Sequence, residues 1–188
     1  MSFFLLFLPT SSSFVMLCYA TIYYSLAGGA CTAILLDVLH DYEEKIQLDT
    51  EACSFTDVLT SMRDKLRQKG FSQIPQLSSS KPIDMTTPFT IVPESCTGIR
   101  RAVIIGINYR GQRGELKGCH NDAFNMYNYI QDWYGFQDEN VTVLVDDGDH
   151  TSPTKQNIVN AYHTVVRQSK SGDGTYRSLV AFVVLVFN

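Results

Sequence analysis

The sequence predicts an α/β fold in which a mostly parallel sheet is flanked by helices. Two observations carry that expectation. Three apolar, β-branched runs occur in the second half of the chain, Ala102 to Ile107, Val141 to Val145 and "SLVAFVVLVFN" at Ser178 to Asn188. Segments of helical periodicity separate them, Ala123 to Tyr134 and Ile158 to Val166. Strands that are apolar on both faces and alternate with helices belong to a parallel sheet covered on its two sides. In such a sheet, ligand-binding loops lie beyond the carboxyl ends of the strands.

The elements are read in chain order. The first 36 residues carry no charged side chain, and the stretch from Phe14 to Leu36 is long enough to reach across a bilayer. No Lys or Arg precedes it in Met1 to Leu8, so a secretory signal is not indicated. The segment 1–28 reads as buried strand and helix of a folded, cytoplasmic domain, with a membrane segment as the alternative. From Gly29, Ala30, Ala33, Ile34 and Val38 keep helical spacing up to the charged stretch Asp41 to Lys45. A second helix opens at Ser54, with Asp57 three residues on to complete a capping box. Its stripe is Phe55, Val58, Leu59, Met62 and Leu66, and Gly70 ends it. Prolines and serines then interrupt regularity from Gly70 to Gly98, which reads as a connector or an irregular edge. Pro153, after Thr151 and Ser152, is placed to open the last helix.

Composition narrows the partners. Fifteen Lys and Arg against 19 Asp and Glu, a net charge of −4, give no footprint for nucleic acid. Five scattered cysteines, Cys18, Cys31, Cys53, Cys96 and Cys119, show no C-x-x-C pair and no metal-ligand spacing to the four histidines, so they read as thiols in a reducing compartment. The acidic turn Asp146 to His150 lacks the twelve-residue calcium loop and reads as a solvated turn. His40 and His163 fall on predicted helices and read as ordinary surface or half-buried side chains.

The loop after the first parallel strand, "NYRGQRGELKGCHND", is where function is sought. Gly106, Gly111, Gly114 and Gly118 form neither G-x-G-x-x-G nor a Walker pattern, and Glu115 sets a negative charge where a phosphate would lie. Nucleotide binding therefore stands only as an alternative reading.

Five ordered blocks, "RRAVIIGINY", "GELKGCHNDAFNMYNYI", "YGF", "VTVLVDD" and "SPTKQNI", resemble the start of the large subunit of metacaspases, the caspase-like cysteine peptidases. Earlier, "GGACTAILLDVL" and "SFTDVLTSMRDKLRQKGFSQIPQLSSSKPID" resemble the end of a metacaspase small subunit. That order, small-subunit part first, is similar to type III metacaspases. The resemblance implies an incomplete caspase-like sheet with an uncertain apolar segment at 1–28, a small-subunit-like region at 29–92, a connector at 93–99 and a large-subunit-like region at 100–188.

For the intact family the resemblance implies an endopeptidase that cuts proteins or peptides after Arg or Lys, with calcium as cofactor. It implies that Cys119 and Asp122 line the pocket for the basic side chain. The family's histidine and cysteine patterns, H-Y-S-G-H-G and D-x-C-H-S-G, do not occur in this sequence. No catalytic residue and no metal ligand are therefore assigned, and the chain is expected to bind without cleaving. Cys119 and His120, being sequence neighbours, are not expected to form a catalytic pair. A non-catalytic partner of another metacaspase chain is a further alternative.

Overall fold

The computed structural model describes residues 2–8, 14–19, 30–47, 53–79, 82–92, 98–168 and 181–187. The strands are β1 (Ser2–Leu8), β2 (Phe14–Tyr19), β3 (Ile74–Ser79), β4 (Arg101–Gly106), β5 (Val141–Val145) and β6 (Ala181–Phe187). The helices are α1 (Ala30–Gln47), α2 (Phe55–Gln68), α3 (Cys119–Tyr134) and α4 (Lys155–Gln168), with a 3-10 turn at Asp138–Asn140. One six-stranded sheet runs in the order β3-β2-β1-β6-β4-β5.

The expected α/β architecture is present, and its parallel part is β6-β4-β5. β4 lies parallel to β5, with Ala102 opposite Val141, and parallel to β6, with Ala102 opposite Phe182. The run at Ser178 to Asn188 thus supplies the third strand, inserted between β4 and β1. On its other side the sheet continues antiparallel through β1, β2 and β3. Within Phe14 to Leu36, the residues Phe14–Tyr19 are strand and α1 begins only at Ala30. No helix among the described residues is long and apolar enough to cross a membrane.

β4 explains why both faces of the sheet need cover. Ala102 and Ile104 pack on one face with residues of α1, α2 and α3, among them Leu35, Met62, Leu66, Met126 and Ile130. Val103, Ile105 and Ile107 pack on the other with Leu144 and with Ala161 and Val165 of α4. The pleat sends successive side chains to opposite faces, so an unbroken apolar run has a use for every residue. Each fully buried isoleucine contributes about 1.5–3 kcal/mol relative to exposure.

α2 follows its sequence signals. Ser54 Oγ accepts the amide of Asp57 at 3.2 Å, and Asp57 Oδ2 accepts the Ser54 amide at 2.9 Å. Phe55, Val58, Leu59, Met62 and Leu66 are buried. Gly70 turns the chain with φ +76°, and the Phe71 amide closes back on the Leu66 carbonyl. Lys65 lies off the stripe and donates to Asp37 and Asp41, both at 2.7 Å, which ties α2 to α1.

Four sequence expectations need correction. The stretch after Gly70 contains a strand, β3, at the edge of the sheet. Its Pro75, which lacks an N–H, is tolerated there, and Arg63 donates to the Pro75 carbonyl. α3 begins at Cys119, four residues before the expected Ala123. The residue before it, Gly118, makes no side-chain cap hydrogen bond, so no capping signal stood in the sequence to mark that start. α4 begins at Lys155, where Thr154 rather than an earlier residue caps by accepting the Asn157 amide. Cys53 and Cys119 are thiols outside any disulfide, whereas Cys31 is disulfide-bonded, a pairing set by approach in space that scattered spacing does not reveal. Residues 93–97 of the connector, and 169–180 after α4, lie outside the described residues.

Removing the α2 cap tests this account. Ser54→Ala is expected to lower the free energy of unfolding by about 1 kcal/mol, read from the urea midpoint at unchanged slope.

Candidate substrate-binding site

The carboxyl end of β4 runs into the first turn of α3 at very short range. A Cβ added to Gly106 would lie 2.6 Å from the Cys119 carbonyl oxygen and 3.0 Å from the Ala123 Cβ. Only glycine admits that approach, so this member of the glycine series serves packing between strand and helix. Cys119 is 0% and Asp122 4% exposed, one turn apart at the start of α3. The two residues singled out from the sequence therefore sit together, buried, beyond a strand terminus.

The loop between them is held by polar contacts that periodicity could not reveal. Asn108, itself buried, accepts the Cys119 amide on Oδ1 at 3.0 Å. The Asn108 amide donates to Asp146 Oδ1 at 2.8 Å, and the Asn108 carbonyl accepts the Leu116 amide at 2.7 Å. His120 Nε2 lies 2.6 Å from the same Asp146 oxygen. Asp146 follows β5, so one carboxylate ties the ends of two neighbouring strands to the start of α3. Tyr109 adopts φ 54° and Gly111 and Gly114 adopt φ +73° and +95° as the chain turns.

The phosphate alternative meets a direct obstacle. Glu115 Oε2 accepts the Gly111 amide at 2.9 Å, so a backbone donor an anion would need is already taken by a carboxylate of the same loop.

Charges in the site decide its chemistry. Burial, the Asp122 carboxylate and the Asp146 carboxylate together push the Cys119 thiol up to about 12. At neutral pH it is protonated and does not act as a nucleophile. His120 faces Asp146, and no hydrogen bond joins its ring to the Cys119 sulfur. The Asp146 carboxyl is lowered below its ordinary 3.8. Burial works to raise it, but the Asn108 amide, the His120 ring and the Arg110 and Tyr109 amides outweigh that effect.

The remaining candidates separate from this cluster. His40 packs edge-on against Tyr129 and Trp133, with ring centroids 5.1 Å and 5.4 Å away. His163 is exposed on α4. The turn after Asp146 is more ordered than a plain solvated turn, because Asp147 accepts the Asp149 and His150 amides and the His150 ring. Among the described residues, no group of three or more His, Cys, Asp or Glu side chains is placed to hold a metal ion. The role of Asn108, Asp146 and His120 escaped sequence reading. The only hint was polar residues at the carboxyl ends of two apolar runs.

Comparison with known proteins supplies the context. Residues 100–178 match the family described as "Metacaspase, peptidase C14 domain". The chain is similar to Metacaspase III c of Phaeodactylum tricornutum (strain CCAP 1055/1), 50% identical over 151 residues that cover 80% of this chain and 44% of that protein. It is also similar to Metacaspase-1 of Sclerotinia sclerotiorum (strain ATCC 18683 / 1980 / Ss-1), 44% identical over 84 residues, or 44% of this chain and 19% of that protein. Metacaspase-1 of Botryotinia fuckeliana (strain B05.10) matches at 44% over 84 residues, 44% of this chain and 20% of that protein. The chain thus spans less than half the length of these relatives. A 151-residue match within 188 residues cannot be confined to the part after the connector, so the likeness to Metacaspase III c includes the part before it.

Two outcomes follow from the geometry. Gly106→Ala is expected to cost about 1–3 kcal/mol of unfolding free energy, because the new methyl meets backbone that cannot swing aside. A carboxyl lowered in the folded state contributes stability above its unfolded value of 3.8 and loses it as pH falls through the folded value. The gap in unfolding free energy between wild type and Asp146→Asn is expected to be about 1–3 kcal/mol near neutral pH and to close below 3.8. A gap independent of pH speaks against this assignment.

Proposed function

We propose, from the match of residues 100–178 to the family described as "Metacaspase, peptidase C14 domain", that this chain carries the basic-side-chain pocket of a cysteine endopeptidase that cuts after Arg or Lys. One observation carries the reading: Cys119 and Asp122 are buried side by side at the first turn of α3, at the carboxyl end of β4. The Asp122 carboxylate receives the guanidinium or ammonium group of the residue before the scissile bond. Away from bulk water such a charge-assisted pair is stronger than an exposed one, which gives the preference for basic residues. Cys119 serves as uncharged wall, since its thiol stays protonated.

Bond breaking needs a thiolate to attack the carbonyl and an imidazole to carry the proton to the leaving amine. Cys119 and His120 do not supply that pair, because the thiol is held up and the ring is engaged by Asp146. The family's histidine and cysteine patterns are not in these 188 residues. The polypeptide itself therefore binds a basic peptide without hydrolysing it. Calcium belongs, on this reading, to the intact enzyme rather than to the residues described in this chain.

Two measurements on the purified chain test the proposal. An arginyl fluorogenic peptide with added calcium is expected to show no turnover; release of fluorophore by the chain contradicts the non-cleaving assignment. Nα-acetylarginine amide is expected to bind in an NMR titration, and Asp122→Asn to weaken it roughly tenfold or more. Equal affinity in wild type and variant rules the pocket out.

A further inference from the structure

We propose that Asp146 is the positioning residue of this pocket, holding the first turn of α3 in place through Asn108 and His120 without touching the substrate. The inference rests on reading Cys119 and Asp122 as the pocket, and it assigns the control of their placement to a side chain on a different strand.

The contacts form two short chains from one carboxylate. In the first, Asp146 Oδ1 accepts the Asn108 amide at 2.8 Å, and Asn108 Oδ1 accepts the Cys119 amide at 3.0 Å. That second bond satisfies a first-turn amide which the helix itself leaves without a carbonyl partner. Asn108 therefore performs, from eleven residues upstream in sequence, the service a capping side chain gives, and Gly118 has no side chain to do so. In the second, Asp146 Oδ1 and His120 Nε2 are 2.6 Å apart, and His120 is the residue directly after Cys119. Both chains converge on residues 119 and 120, one turn before the Asp122 carboxylate.

The placement makes the coupling specific. Asp146 stands at the end of β5, the strand parallel to β4, so it fixes the turn against the sheet rather than against a loop of its own. The His120 side chain is 15% and the Asp146 side chain 23% exposed, so the pair is mostly shielded from water. Losing the Asp146 side-chain oxygen releases the Asn108 amide and the His120 ring together, and with them the two restraints on the start of α3. The substrate's cation then meets an Asp122 whose backbone is no longer held in one position.

The test is the alkylation rate of Cys119 by iodoacetamide, resolved by mass spectrometry against Cys53 in the same chain. Both thiols are buried, at 0% and 6% exposure, and Cys53 lies just before α2, in a segment that Asp146 does not contact through any of the hydrogen bonds above. Asp146→Ala is expected to raise the ratio of Cys119 to Cys53 labelling at least tenfold, and Asn108→Ala to do the same. Asp146→Asn, which keeps an oxygen acceptor for the Asn108 amide, is expected to recover most of the protection. An unchanged ratio in Asp146→Ala overturns the inference. So does an equal rise at Cys53, since Asp146 then supports the whole fold rather than this turn. Nα-acetylarginine amide is expected to slow Cys119 labelling in the wild type. If it does not, while Asp146→Ala acts selectively, the pocket reading fails and the positioning role stands.

Discussion

The contact between Gly106 and the Cys119 carbonyl is the constraint from which the geometry of the site follows. Because the last residue of β4 has no side chain, the first turn of α3 settles directly onto the strand end. That approach buries Cys119 and Asp122 together and leaves residues 110–115 exposed in the loop between strand and helix. It also removes water from the neighbourhood, the largest reason the thiol is pushed up. A methyl at the same place separates strand and helix, and each of those consequences weakens.

The sheet gives this contact a rigid base. β4 is buried on both faces and flanked by parallel neighbours, and its carboxyl end at Gly106 pairs with that of β5 at Val145. Asp146 uses that pairing, standing beyond one strand end and holding a loop that leaves the other. The far side of the sheet is built differently: β1, β2 and β3 add antiparallel strands from the part of the chain that precedes the site in sequence. Pro75 and the Arg63 contact to its carbonyl blunt that outer edge against further pairing. Of these three strands, β3 lies in the stretch that resembles the small subunit, so that stretch takes part in the same sheet as β4 and β5 although it comes first in the chain.

Electrostatics separates two roles that a Cys-His neighbour pair invites one to merge. A nucleophilic thiol needs a positive or hydrogen-bond-donating environment to lower it. Cys119 has instead burial and two carboxylates, which favour the neutral form. On the proposed reading, the same two carboxylates attract the substrate's cation. An environment that keeps a thiol neutral is also one that suits a guanidinium, and the proposed pocket draws on that.

Periodicity alone was enough to place the strands β4 and β5 and the helix α2, because each is specified by its own residues. A short apolar, β-branched run bounded by turn residues fits a strand with cover on both faces, and Ser54, Asp57 and Gly70 mark the ends of α2 by local hydrogen bonding and a left-handed turn. The family resemblance, carried by ordered blocks, directed attention to Cys119 and Asp122. Tertiary structure decided the rest. It placed the start of α3 at Cys119, where the capping oxygen comes from Asn108 rather than from an adjacent residue. It made a strand of the proline-bearing segment at Ile74–Ser79, inserted β6 between β4 and β1, and brought Asp146 and His120, 26 positions apart, within hydrogen-bond distance. Helix stripes and caps are short-range and leave a periodic trace in sequence; a hydrogen bond between the ends of two strands depends on sheet order, which leaves none.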